Sequence, residues 1–207
     1  MDANETNEIK TAKREARAKA RRALLAISAA GREERSQKAA ALFLNSSIYK
    51  NAECVAAFLS LPDEIDTLPI IERAFMDKKR VLLPRVVPGS NAMDFYELSA
   101  IEAQTDVNAW GIREPLETLA LVGKEGFPAR AAILVPGLAF CKDGRRLGRG
   151  KGFYDRYLSE LLAANPAFAA QGKICGYCFS EQIFSDIPTQ ESDVRVQAVF
   201  SSQSAFF

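Results

Sequence analysis

The chain contains no histidine among its 207 residues, and that absence removes several chemistries at once. No Ser-His or Cys-His nucleophile pair can exist, so any general base must be a carboxylate, a lysine, a tyrosine or water. An excess of one charge is missing too. With 27 Lys and Arg against 26 Asp and Glu, no global field draws the chain to nucleic acid or to a membrane surface. Anion binding has to come from local clusters. No apolar run approaches the roughly 20 residues that span a bilayer, and the first residues hold no apolar signal core. Asp2, Glu5, Glu8 and Glu15 make that segment too acidic for an organelle transit peptide. The expectation is a cytoplasmic protein with no membrane or nucleic-acid partner, and nothing marks an obligate protein partner. Cysteines number four, Cys54, Cys141, Cys175 and Cys178, without a secretory context, which favours free thiols. The C-x-x-C formed by Cys175 and Cys178 lies in "KICGYCF", which reads as a buried strand. It formally matches a redox or zinc pattern, but there is no second such pair and no histidine to complete a zinc site, so these residues are expected to act as small apolar side chains.

What is present is a single-domain chain, residues 1–207, with 48% hydrophobic residues and ample core-forming capacity. Helix-forming and strand-forming patterns alternate along it. "NEIKTAKREARAKARRALLAIS" and "REERSQKAAALFL" predict helices free of interior Gly and Pro. "CVAAFLSL" predicts a buried strand ended by Pro62, "TLPIIERAFM" a helix with Thr67 as N-cap, and "RVLLPRVV" a second strand. "MDFYEL" alternates weakly, "ARAAILVPGLAF" gives a third buried strand, and a helix begins near Gly152 and runs through "DRYLSELLAA". A strand at Ile174 and an edge strand in "VRVQAVF" close the pattern, while residues 98–130 read mostly as loop. This order implies an α/β fold with a largely parallel sheet. In such sheets ligands gather beyond the carboxyl ends of the strands, which places Pro62-Asp63-Glu64, Arg85 and the loop preceding Asp155 along one edge.

The stretch "RRLGRGKGFYDRYL", residues 145–158, carries the most chemistry. Gly148, Gly150 and Gly152 allow close backbone approach and let successive N–H groups converge on an anion. Arg145, Arg146, Arg149 and Lys151 add positive charge, and the helix that follows offers its free N–H groups and dipole. Phosphate is the natural occupant. The spacing is neither a Walker A loop nor G-x-G-x-x-G, because Arg149 and Phe153 occupy glycine positions of those motifs; a basic surface turn is the plainer alternative. Asp155, in the first helical turn, suits either the helix dipole or magnesium, which takes one or two carboxylates beside phosphates and water.

These residues resemble the 5-formyltetrahydrofolate cyclo-ligase family. The likeness extends through Lys13 and Arg17 on a helix, "FLSLPDEIDT", "LLPRV", "ILVPGLAF" and a late "IP" followed by Asp193. It implies a three-layer α/β sandwich like the ribose-5-phosphate isomerase and CoA-transferase group. It also implies an ATP- and Mg2+-dependent enzyme that converts 5-formyltetrahydrofolate to 5,10-methenyltetrahydrofolate, with reduced folate as its small-molecule substrate. By the same resemblance, Lys13 and Arg17 together with Arg146, Leu147, Gly148, Arg149, Gly150, Lys151, Gly152, Phe153 and Tyr154 bind the nucleotide, with Lys151 and Arg149 neutralising the transferring phosphoryl group. Leu59, Glu64 and Tyr154 match folate-contacting positions, and Asp155 and Asp193 match metal positions. Ser192 stands where many members have histidine. From the residues alone, Lys13 and Arg17 equally suit a solvated basic face, since seven basic residues between Lys10 and Arg22 face one acid, Glu15. Glu64 equally suits a helix start, and Trp110 either a ring-stacking site or the core. A relative acting on another ATP-dependent substrate and a nucleic-acid or anion-binding module stand as alternatives.

Overall fold

The computed structural model describes residues 3–108, 111 and 113–207; Trp110 lies outside them. Helices α1 (Ala3–Leu25) and α2 (Ala29–Asn45) open the chain, and the Ser28 side chain caps α2 by accepting from the Gly31 N–H at 3.1 Å. Strand β1 (Cys54–Ala56), helix α3 (Leu68–Met76), β2 (Arg80–Val86), β3 (Met93–Leu98), β4 (Leu121–Val122) and β5 (Ala131–Val135) follow. Helices α4 (Phe153–Ala164) and α5 (Pro166–Gln171) then precede β6 (Lys173–Tyr177), β7 (Ala198–Phe200) and β8 (Ala205–Phe206). The eight strands form one sheet in the order β8-β7-β6-β5-β1-β2-β3-β4. The inner five, β7 to β2, are parallel, and antiparallel pairs close both ends.

Side chains alternate across a strand, so the sheet packs on both faces. Val55, Val81, Leu134 and Tyr177 meet Leu24, Phe43 and Ile71 from α1 to α3 on one side. Cys54, Leu82, Ile133 and Ile174 meet Tyr157, Leu161 and Phe168 from α4 and α5 on the other. The result is the expected three-layer α/β arrangement. Each fully buried Leu, Ile or Phe of these layers contributes about 1.5 to 3 kcal/mol. All four cysteines are buried and free. Cys175 faces one core and Cys178 the other, which explains the C-x-x-C as strand packing.

Several local expectations are corrected. β1 is shorter than "CVAAFLSL" suggested: the chain leaves the ladder after the Ala57 N–H bonds Leu82 O at 2.9 Å, and residues 58–64 run on as the wall of a cleft. Thr67 does not cap α3 with its side chain; its hydroxyl donates to the Phe58 carbonyl, and Asp66 takes the Leu68 N–H at 2.9 Å. β7 is not an edge strand, because β8 pairs outside it. The span 98–130 is not simply loop. It holds a helical turn, Ile101–Gln104, a two-stranded ladder of Thr105–Val107 with Arg113–Pro115, and β4. Finally, Arg85 lies within β2 and turns to the Pro115 carbonyl (2.8 Å) and Glu117 (2.7 Å), outside the cleft.

Candidate active site

Beyond the end of β5 a tight hairpin pairs Ala139–Phe140 with Arg146–Leu147 and turns at Gly144. Gly144 has φ of +84°, and a Cβ there would sit 2.1 Å from the Val196 carbonyl oxygen, so only glycine fits. The hairpin delivers residues 148–152 to the carboxyl ends of the parallel strands. Gly150 and Gly152 also take positive φ, +110° and +72°. Gly152 is the N-cap of α4, and no side chain caps that helix, which leaves the first-turn N–H groups and the dipole to a ligand.

This loop forms one wall of a cleft of about 1240 Å³. The others come from α1, the segment after β1, the ends of β2 and β3, Arg113 and Glu114, the start of α4 and the segment around Asp193. Cations from distant parts of the chain converge in it. Arg17 donates from Nε to the Gly148 carbonyl at 2.9 Å, and its guanidinium carbon lies 3.4 Å from where a Gly150 Cβ would stand. Burial and neighbouring Arg21 push its pKa down, against the pull of Asp193. Lys13 is only 8% exposed and donates to Asp193 Oδ2 at 2.6 Å and Gln190 Oε1 at 2.9 Å; it is no solvated surface charge. Arg146, also buried, donates to Asp155 Oδ1 at 2.6 Å and to the Pro136 carbonyl at 3.2 Å, while its Nε has no hydrogen-bond partner. Arg149 bonds Asp63 at 2.7 Å and Glu64 at 3.0 Å. Burial opposes its charge, but these two acids outweigh burial and raise its pKa. Lys151 is exposed and has no bond to any described residue.

Glu64 receives the Leu61 N–H at 3.0 Å on its second oxygen. Burial raises its pKa despite the opposing pull of Arg149. Tyr154 presents a buried hydroxyl without a partner; burial first, then the Glu64 charge, hold it well above the ordinary tyrosine range. It is a neutral donor in the cleft wall.

Asp155 and Asp193 come to the same end of the cleft, because the Val194 N–H donates to Asp155 Oδ1 at 3.2 Å. No cluster of three or more metal-ligating side chains exists among the described residues. Asp155 and Asp193 are the carboxylates here that could hold Mg2+, a cation that takes one or two carboxylates beside phosphate and water. Of the residues expected from sequence, Leu59, Glu64, Lys13, Arg17, Asp193 and residues 146–155 all border this cleft. Leu147 does so with its side chain locked in the core at 2% exposure, and Phe153 packs partly against the second core. Asp63 stands on the expected edge, but its pairing with Arg149 is not foreseen from sequence; Gln190 and Glu114 are not expected at all, Gln190 because it carries no signal and Glu114 because its span reads as loop.

The sequence model of the 5-formyltetrahydrofolate cyclo-ligase family matches residues 9–202. The chain is 33% identical over 198 residues to the 5-formyltetrahydrofolate cyclo-ligase of Mus musculus, covering 95% of this chain and 96% of the relative. It is 32% identical over 171 residues to that of Escherichia coli strain K12, covering 81% and 87%. The solution structure of Aquifex aeolicus 5,10-methenyltetrahydrofolate synthetase superposes with a TM-score of 0.75 at 29% identity, over 94% of this chain and 91% of that one. A Mycoplasma pneumoniae 5,10-methenyltetrahydrofolate synthetase shares the fold at 20% identity, with a TM-score of 0.68 over 92% of this chain and 99% of its own.

Proposed function

The chain belongs to the 5-formyltetrahydrofolate cyclo-ligase family and is an enzyme of that kind, and from that premise we propose how its cleft performs the reaction. 5-Formyltetrahydrofolate and ATP enter together; 5,10-methenyltetrahydrofolate, ADP and phosphate leave. The formamide carbonyl is a poor electrophile towards an aryl amine, and its oxygen cannot depart as oxide. Phosphorylation of that oxygen gives it a leaving group, so the amine adds to the formyl carbon, phosphate departs with the oxygen, and the amine proton is lost to complete the ring.

The reaction asks for positioning and charge neutralisation more than for a strong base, which suits a site without histidine. Lys13 and Arg17 bind the nucleotide from α1, the 148–152 backbone holds phosphate oxygens, and Arg149 and Lys151 neutralise the moving phosphoryl group. Asp155, with Asp193 beside it, would hold Mg2+, whose contribution is further charge neutralisation on the phosphates. Arg146 fixes Asp155, and Asp63 and Glu64 fix Arg149. Leu59 and Tyr154 border the folate.

The observation that carries this reading is the convergence of Lys13, Arg17, Arg146 and Arg149 inside one cleft around a glycine loop. Buried cations such as Lys13 and Arg146 do not form the exposed stripe that a nucleic-acid surface requires. Purified protein mixed with 5-formyltetrahydrofolate is expected to develop methenyltetrahydrofolate absorbance only with Mg2+-ATP. Equal rates without nucleotide, or no product with it, overturn the proposal.

A further inference from the structure

Among the described residues five carboxylates line the cleft, and four have a cation. Glu64 is held by Arg149, Asp155 by Arg146, Asp193 by Lys13 and Glu160 by Lys124. Glu114 pairs with no cation among the described residues, although it is 5% exposed. The arginines nearest it in the chain and ladder are committed elsewhere, Arg113 to Glu102 at 3.1 Å and Arg85 to Glu117 at 2.7 Å. A carboxylate withdrawn from water without a counter-charge is costly. One oxygen is fixed in place. Val86 pairs with Met93 of β3 on one side, but β1 ends opposite Leu82 on the other, so the Val86 N–H has no partner in β1 and Glu114 Oε1 accepts it at 3.1 Å. Oε2 has no partner among the described residues and is not among the sealed, unpaired atoms, so it keeps some access to solvent, and Glu114 lines the cleft.

The surroundings state what such a group can bind. Pro84 and Val86 from β2 and Met93 from β3 line the same cleft, an apolar wall suited to a flat ring. The cations stand on the loop and α1, around the phosphate-binding backbone. A 2-amino-4-oxopyrimidine ring offers a ring N–H and an exocyclic amine side by side, a pair of donors that meets two carboxylate oxygens as a guanidinium does. Adenine offers one amine beside a ring acceptor, which a carboxylate repels. Glu64 already has its charge matched by Arg149 and takes the Leu61 N–H on its other oxygen, whereas Glu114 has no cation among the described residues and keeps a second lone pair on Oε1 and all of Oε2 for incoming donors.

We propose that Glu114 reads the donor edge of the pterin and thereby sets which ring enters the folate half of the cleft; this rests on the folate reading above. Glu114→Gln keeps the shape and an acceptor for Val86 but replaces one oxygen by a donor. Calorimetric binding is measured for 5-formyltetrahydrofolate, for its analogue lacking the 2-amino group, and for Mg2+-ATP, on wild type and variant, with thermal melts to confirm folding. Wild type is expected to favour the 2-amino ligand. The variant should lose about tenfold to a hundredfold in affinity for that ligand, much less for the analogue, and nothing measurable for nucleotide. If Glu114→Gln melts below the assay temperature, Glu114→Asp replaces it, with the same selective loss expected. Equal weakening of both folates, an unchanged preference, or a loss confined to ATP overturns the role of Glu114. Failure of wild type to bind either folate instead overturns the folate reading itself.

Discussion

Lys151, like Lys10, lines the cleft without a bond to a described residue, whereas Lys13 is locked to Asp193 and Gln190. The two should separate in kinetics and in stability. Lys151 is free to follow charge as it moves, so Lys151→Ala should lower kcat by about thirtyfold to a thousandfold while leaving thermal stability unchanged. Lys13→Ala should chiefly raise the KM for ATP, since a contact made equally in ground and transition states does not alter turnover. It also leaves a largely buried carboxylate without its cation. The expected loss is about 1 to 3 kcal/mol, visible as a lower Tm. If both variants only raise KM, the loop is a nucleotide clamp and the catalytic charge comes from elsewhere.

The element that matters most is the hairpin before α4, because it carries Arg146 and aims the glycine loop. Its turn is anchored to the segment preceding β7: Gly144 accepts from the Val196 N–H at 2.9 Å and lies under the Val196 carbonyl. Gly144→Ala meets both an unfavourable φ and a backbone clash that cannot swing away. Gly152→Ala has positive φ as well, but nothing lies within 4 Å of the added Cβ. The second should therefore cost only about 1 to 2 kcal/mol of backbone strain, and the first clearly more, with a raised KM for ATP as the hairpin shifts. Thermal melts and ATP titrations of the pair check this; equal losses would mean that the anchor to Val196 is unimportant.

At the scale of the whole molecule, buried thiols are the first groups to limit stability as the pH rises, ahead of the buried tyrosines, because an unfolded thiol ionises at a lower pH than a phenol. Burial pushes the Cys54 and Cys175 thiols from an ordinary 9.0 up to about 12, and raises Cys178 as well. The folded protein keeps these groups protonated after the unfolded chain has ionised them. Their contribution is therefore complete below pH 9 and lost as pH rises from there towards 12. Each costs about 1.4 kcal/mol per pH unit in that window. Melts under reducing conditions should show Tm falling above about pH 9, while thiol reagents label the native protein far more slowly than the unfolded one. Rapid native labelling of Cys175 or Cys178 would contradict the packing reading of the C-x-x-C.

The sequence by itself determined the layered α/β class, since buried strands such as "AAILV" and helix-forming runs such as "KREARAKARRALL" follow from local periodicity and propensity. It also marked the glycine loop, whose charges and glycines stand within a few residues of one another, and through family likeness Lys13, Glu64 and Asp193. It did not determine partners. That Lys13 pairs with Asp193, that Asp63 joins Glu64 on Arg149, and that Arg85 turns away from the cleft depend on contacts between residues far apart in the chain. The same holds for Glu114, an ordinary acid in a span without periodicity. Only the tertiary structure decided that it is buried, held by the Val86 N–H and left without a cation among the described residues, because burial and pairing are properties of the packed chain and local sequence carries no record of them.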